Sequence, residues 1–157
     1  MCKCHFNYLK VLSENKNKSG SGFGVHNRIK KIRKKVFVQE QGIPIELDLD
    51  GWDDNSYHAL AYDNNQVVGV ARLALTENNK AVLARVAVLK EFRGLGIASR
   101  IVKALLLTAE NLSIRKIDIY PHEHLKGFYE SYGFKYIEKS EVVGNHQLIK
   151  MGKTLRP

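Results

Sequence analysis

Residues 85–107, RVAVLKEFRGLGIASRIVKALLL, place an apolar run, a basic glycine-containing turn and a helical pattern in direct succession. Val86, Ala87 and Val88 suit a strand buried on both faces, and Lys90-Glu91-Phe92 is a polar break. From about Leu95 the apolar residues Ile97, Ile101 and Leu105, with Val102 and Leu106, recur at helical spacing. Between the two elements lie Gly94 and Gly96, which lack a Cβ and so let the backbone take positive φ and a ligand approach it closely. The first N–H groups of the helix have no intrahelical partner and sit at the positive end of its dipole, a combination that suits a phosphate. Arg93 and Arg100 add full charges to that end.

Spacing separates the phosphate-binding architectures that share this layout. The P-loop pattern G-x-x-x-x-G-K-[ST] is absent. The dinucleotide fingerprint G-x-G-x-x-G has Ser99 at its third position, and Asp118, about twenty residues on as that fingerprint expects, falls inside KIDIY rather than at a strand end. The pattern that fits is Q/R-x-x-G-x-G/A, met by Arg93, Gly96 and Ala98. It resembles the coenzyme A pyrophosphate loop of the GNAT superfamily of N-acetyltransferases, and the preceding VAV is similar to the strand on which that family lays the pantetheine arm.

The resemblance implies acetyl-CoA as cosubstrate, no metal, and cofactor contacts from Val86, Ala87, Val88, Arg93, Gly94, Leu95, Gly96, Ile97, Ala98 and Tyr129. A second mark is GFYESYGF, which resembles the superfamily's A-x-x-F-Y-x-x-x-G-F with Phe128, Tyr129, Gly133 and Phe134 in place. By itself Tyr129 reads as a core aromatic. The resemblance sets it near the cofactor sulfur, where a phenol can protonate a departing thiolate. A narrower resemblance, to the ElaA-type subgroup, rests on Arg33, Val36, Phe37, Val38, Glu40, Gln41 and Pro44, which match R-x-x-V-F-V-x-E-Q-x-x-P, and on histidines at 58, 124 and 146. Where the subgroup reads G-I-P-H this chain has Gly144-Asn145-His146, a shorter turn. The subgroup signature puts Glu40 beside the acceptor and implies that it is the general base, with His58 and His124 as alternatives.

The chain of 157 residues is long enough to bury a core without staples, and we expect one domain spanning 1–157. No apolar run approaches twenty residues and the first thirty are polar and basic, so a cytoplasmic protein without a membrane span or leader is expected. Cys2 and Cys4 are too few for a structural zinc site and do not form the redox C-x-x-C. Net charge is +9. Its densest run, Arg28 to Lys35, is threaded by Val25, Ile29, Ile32 and Val36 at helical spacing, which describes an amphipathic helix with a solvated basic face. No nucleic-acid partner is therefore expected. A second basic group, Arg85, Lys90, Arg93, Arg100 and Lys103, brackets the glycine turn. Glu46, Asp48, Asp50, Asp53 and Asp54 form an acidic stretch that reads either as a mouth for a cationic amine or as a solvated loop.

Taken in order, a strand from His5 to Leu12, a polar loop from Asn15 to Gly24, the basic helix ending near Phe37, a hairpin turning at Asn64 and Asn65, the central strand AVLARVAV, the long helix, KIDIY, a helix over HLKGFYESY, FKYIEK and NHQLIKM describe an α/β fold. Its GNAT-like form is a mixed, mostly antiparallel central sheet with helices on both faces. The expected activity is transfer of an acetyl group to a primary amine of a small-molecule or peptidyl acceptor, directly within a ternary complex, with backbone N–H groups near Val88 polarising the acetyl carbonyl. The alternatives are a non-catalytic acyl-CoA-binding module and a nucleic-acid-binding protein using the basic helix. An oligomer is compatible with the sequence.

Overall fold

The computed structural model describes residues 8–13 and 22–156. Its elements are β1 (Tyr8–Ser13), α1 (Gly22–Arg33), a π-helical segment (Lys34–Glu40), α2 (Ile45–Asp48), β2 (Ser56–Asp63), β3 (Gln66–Thr76), β4 (Lys80–Val88), α3 (Ile97–Asn111), β5 (Lys116–Ile119), α4 (Lys126–Glu130), β6 (Lys135–Val143) and β7 (His146–Thr154). The strands form one seven-stranded sheet in the order β1-β2-β3-β4-β5-β7-β6. Among the described residues only β4 and β5 run parallel; every other neighbouring pair is antiparallel. The helices α1 and α3 both pack on β3 and β4, giving the mixed α/β architecture with helices on both faces of the sheet.

The patterns in the sequence account for these elements. In α3, Ile97, Ile101, Val102, Leu105, Leu106 and Ala109 are buried, the stripe of an amphipathic helix laid on a sheet. Gly69 in β3 lets that helix come close: a Cβ there would lie 2.9 Å from Ile101 Cδ1 and 3.0 Å from Ile97 Cγ2. In β3, Val67 to Ala74 are buried without interruption, as a strand covered on both faces requires. The helix α4 closes with a Schellman arrangement, in which Phe134 N–H donates to Tyr129 O and Gly133 N–H to Glu130 O, with Gly133 at φ 87°.

Three expectations change in detail. The basic helix does not end near Phe37 as an α-helix. It widens at Lys34 into the π-helical segment, marked by the Gln41 N–H donating to Val36 O, five residues back. The expected strand His5–Leu12 appears from Tyr8 to Ser13, with His5 to Asn7 outside the described residues, as are Cys2, Cys4 and the part of the Asn15–Gly24 loop before Gly22, where α1 already begins. The helix over HLKGFYESY is shorter than its pattern, a 3₁₀ turn at Glu123–Leu125 leading into α4.

The feature that positions the site is a split in the sheet. Val70 pairs with Ala87 while Arg72 pairs with Ala84, so β4 carries one extra residue there, a β-bulge at which Arg85 adopts φ 58°. The ladder between β4 and β5 involves only Lys80–Val82 and Lys116–Asp118. Beyond it the two parallel strands have no mutual pairing, and the last part of β4 keeps β3 alone as a partner.

Candidate active site

At the end of β4 the chain passes a 3₁₀ turn, Lys90–Phe92, and enters the glycine turn, where Gly94 has φ 80° and Gly96 φ 77°. A Cβ at either position would meet nothing within 4 Å. Backbone conformation, not crowding, therefore demands glycine there, and the space above the turn is open. Gly96 is the N-cap of α3, so the free N–H groups of the helix's first turn face the glycine turn, as the sequence implies. A pocket of about 240 Å³ opens beside it, lined by Val88, Phe92, Arg93, Gly94, Gly96, Ile97, Ala98, Ser99 and Phe128. Six of the residues expected to touch the cofactor, Val88, Arg93, Gly94, Gly96, Ile97 and Ala98, thus converge on one concavity. Val86, Ala87, Leu95 and Tyr129 do not line it. Ala87 is buried in β4, Leu95 is exposed on the turn, and Tyr129 is buried with its ring edge-on to Phe128, which does line the pocket.

Tyr129 is buried, with its ring edge-on to Phe128 and Phe134, and among the described residues no hydrogen bond engages its hydroxyl. Burial pushes its pKa up to about 12. Next to it, the Tyr132 hydroxyl and Ser99 Oγ hydrogen-bond to each other, tying the first turn of α3 to the end of α4.

Glu40 ends the π-helical segment, and both its oxygens accept from Arg93 Nη2, at 3.0 and 2.9 Å. Arg93 Nε also donates to the Val88 carbonyl at 3.0 Å, closing the guanidinium over the end of β4. The neighbouring Gln41 touches the opposite side of the split. Its carbonyl lies 3.3 Å from His146 Nε2, and the His146 ring stacks on His122 with centroids 4.4 Å apart. His122 follows β5 and in turn meets His124 edge-on. Burial, with His146 and His124 nearby, lowers the His122 pKa from the ordinary histidine value. His122 carries no motif and was legible only as a histidine after the strand-ending Pro121. His58 is buried in β2 with Nε2 2.9 Å from the Asp53 carbonyl. His124 is exposed.

Within the acidic stretch Glu46 is exposed, whereas Asp48, Asp50 and Asp53 are held by arginines. Arg33, with a side chain 1% exposed, donates to both Asp48 and Asp53. Arg72 donates to Asp53 and to both oxygens of Asp50. Arg85, at the bulge, donates to the Leu47 carbonyl and to Asp50 Oδ2, and its Nε lies 3.0 Å from Asp48 Oδ1. Burial by itself would raise the pKa values of Asp50 and Asp53, but the arginines outweigh it and lower both, Asp50 to about 2 with help from the Trp52 N–H. Desolvation and the adjacent Arg72 lower Arg85, whereas for Arg72 desolvation is overcome by its hydrogen bonds to Asp50 and Asp53, which raise it. Three arginines from α1, β3 and β4 thus neutralise three aspartates and pin the 45–53 segment to the bulged strand. Local spacing could not show this, because every partner lies on another element.

The parallel ladder of β4 and β5 ends at Val82, before the bulge, and leaves a split with the glycine turn and the N-terminus of α3 at its mouth. The model of the acetyltransferase (GNAT) domain matches residues 26–155, and the chain belongs to that family. Among its relatives is Protein ElaA of Escherichia coli (strain K12), 30% identical over 108 residues that make up 66% of this chain and 70% of that protein. The crystal structure of Escherichia coli ElaA superposes with a TM-score of 0.81 over 94% of this chain and 99% of that one, at 24% identity. An acyl-CoA N-acyltransferase from Pseudomonas aeruginosa gives a TM-score of 0.82 over 94% of this chain and 100% of its own, at 22% identity. The PaiA N-acetyltransferase from Thermoplasma acidophilum, solved in complex with coenzyme A, shares the fold with a TM-score of 0.65 over 95% of this chain and 100% of its own, at 14% identity. Among the described residues no histidine, cysteine, aspartate or glutamate group is arranged to hold a metal ion, and no helix is long and apolar enough to cross a membrane.

Proposed function

We propose that the protein transfers an acetyl group from acetyl-CoA to a primary amine of a small-molecule or peptidyl acceptor, in one step within a ternary complex. The observation that carries this reading is the convergence of Arg93, Gly94, Gly96 and Ala98 on the open pocket at the N-terminus of α3, beside the edge of β4 that has no β5 partner. In this reading the first-turn N–H groups of α3 and Arg93 take the pyrophosphate, and the edge of Val86 to Val88 that has no β5 partner lies open to the pantetheine arm. The N–H groups of the same stretch polarise the acetyl carbonyl.

Tyr129 is the proton donor to the leaving sulfur. With its pKa near 12 the phenol keeps its proton throughout the neutral range. An ordinary thiol has a pKa of about 8.5, so complete transfer from Tyr129 to a thiolate is uphill by about 5 kcal/mol. The donation therefore has to be coupled to recovery of a proton from the ammonium formed as the amine adds. Glu40, expected as the base, has both oxygens occupied by Arg93. In this reading it borders the acceptor side and sets the position of the guanidinium.

A thermal-shift series with acetyl-CoA, CoA, ATP and NAD tests the cofactor assignment. Stabilisation by acetyl-CoA and CoA alone is the expected result. Thiol release in the presence of a panel of primary amines then separates a transferase from a module that only binds the thioester. The absence of an acetyl-CoA shift at millimolar concentration would remove both.

A further inference from the structure

The stacked histidines on the far wall of the split are left unused by this reading. A backbone carbonyl can only accept a hydrogen bond, so the 3.3 Å contact between Gln41 O and His146 Nε2 places the hydrogen of the neutral ring on Nε2. The lone pair then resides on Nδ1, on the ring edge turned away from Gln41. The carbonyl that fixes this tautomer lies just past the end of the α1 and π-helical run, where the last carbonyls lack intrahelical donors. Glu40, one residue earlier, holds Arg93, which in turn holds the Val88 carbonyl. His146 and the end of β4 are therefore bracketed by a single dipeptide, one on each wall of the split. The other ring face is covered by His122, which is half-buried and whose lowered pKa keeps it uncharged near neutrality; His124 meets His122 from the lead-in to α4.

We propose that His146 is the base that deprotonates the acceptor ammonium, held in the productive tautomer by the Gln41 carbonyl and supported by the His122 ring. The proposal rests on the acyl-transfer reading above. The ammonium gives one proton to His146 Nδ1 and becomes a neutral amine. Its nitrogen forms the N–C bond to the acetyl carbon, and the C–S bond breaks with its electron pair on sulfur. The second proton lost by the nitrogen passes through Tyr129 to the thiolate, and His146 releases its proton to solvent.

The test is thiol release from acetyl-CoA with free lysine, spermidine, tryptamine and a dipeptide as amine probes, for the wild-type chain, His146→Gln and His146→Ala, across pH 6 to 10. The acetyl-CoA thermal shift serves as control. For His146→Gln we expect an unchanged thermal shift and turnover reduced by about 100-fold at pH 7. The deficit should close as pH rises and the free amine forms unaided. Added imidazole should restore part of the His146→Ala activity. Equal turnover in His146→Gln at all pH values overturns the assignment, as does a loss that is the same at every pH, because a structural defect is indifferent to the ionisation of the amine. A wild-type chain that binds acetyl-CoA yet releases no thiol with any probe overturns the transfer reading itself, and the base with it.

Discussion

Arg33→Met removes the centre of the buried ion network while leaving a side chain of similar length. Arg33 makes hydrogen bonds to Asp48 through Nε and Nη2 and to Asp53 through Nη1, the last at 2.7 Å, from a side chain only 1% exposed. Removing one partner of a buried pair costs about 3–5 kcal/mol, because the remaining charge is stranded out of water. Here neither aspartate is wholly stranded. Asp53 retains Arg72 at 2.9 Å, and Asp48 retains Arg85 at 3.0 Å. The lower end applies, about 3 kcal/mol, which for a chain of this size is a fall in Tm of roughly 6–12 °C.

The pH dependence has a definite sign. The pKa of Asp53 is lowered in the folded protein from its ordinary value of 3.8, so its contribution is present above that value and is lost as pH falls through the lowered one. In the variant the Arg33 contribution is gone while burial remains, so Asp53 takes up a proton at higher pH. The stability gap between wild type and variant should therefore be full at pH 7 and narrow below about pH 4. Urea titrations at pH 7 and pH 3.5 measure both. A gap under about 1 kcal/mol at pH 7, or one that is unchanged in acid, would refute the claim that paired buried charges hold the 45–53 segment.

Gly96→Trp should abolish stabilisation by acetyl-CoA, since φ 77° disfavours any side chain and the ring would fill the open approach to the turn; undiminished cofactor affinity by calorimetry would reject the loop assignment. Tyr129→Phe should lower amine-dependent thiol release by about 10²–10⁴-fold while leaving the acetyl-CoA thermal shift in place; unchanged turnover with chemistry rate-limiting would remove Tyr129 as the donor. Gly69→Ala should cost about 1–3 kcal/mol, because the new Cβ meets Ile101 at 2.9 Å, and a denaturation midpoint equal to wild type would show that α3 can retreat freely.

What the sequence disclosed about this molecule is what leaves a local mark. Positive φ at Gly94 and Gly96 and again at Gly133 needs residues without a Cβ, and the amphipathic stripe of α3 needs apolar residues at helical spacing, so the turn, the helix and the α4 cap could be read directly. The bulge leaves no such mark. Arg85 takes φ 58° without being glycine, and its charge reads with the basic group around the glycine turn, whereas its side chain reaches Asp48 and Asp50. The acidic stretch misled for a related reason. Its charge is visible in sequence, but Arg33, Arg72 and Arg85 meet it from three separate elements, and only the folded chain brings them together. The fate of the 45–53 segment was therefore undecidable from spacing.

The π-helical segment joins these observations. A basic amphipathic pattern continues smoothly from α1 through Val36, so nothing in its apolar spacing announces the change from four- to five-residue hydrogen bonding. Its consequence appears at the end, where Glu40 and Gln41 face opposite sides of the split, one through its carboxylate and the other through its carbonyl. Because that carbonyl lies past the last helical turn, an N–H from elsewhere has to satisfy it, and His146 supplies one. The shorter Gly144-Asn145-His146 turn, with Gly144 at φ 59°, leaves the His146 ring against the Gln41 carbonyl. It delivers the ring to the end of a helix whose other contact sets Arg93. Because the two walls are met by separate groups, the Glu40 carboxylate on Arg93 and the Gln41 carbonyl on His146, a conservative change at His146 is expected to leave the Arg93 wall and cofactor binding in place.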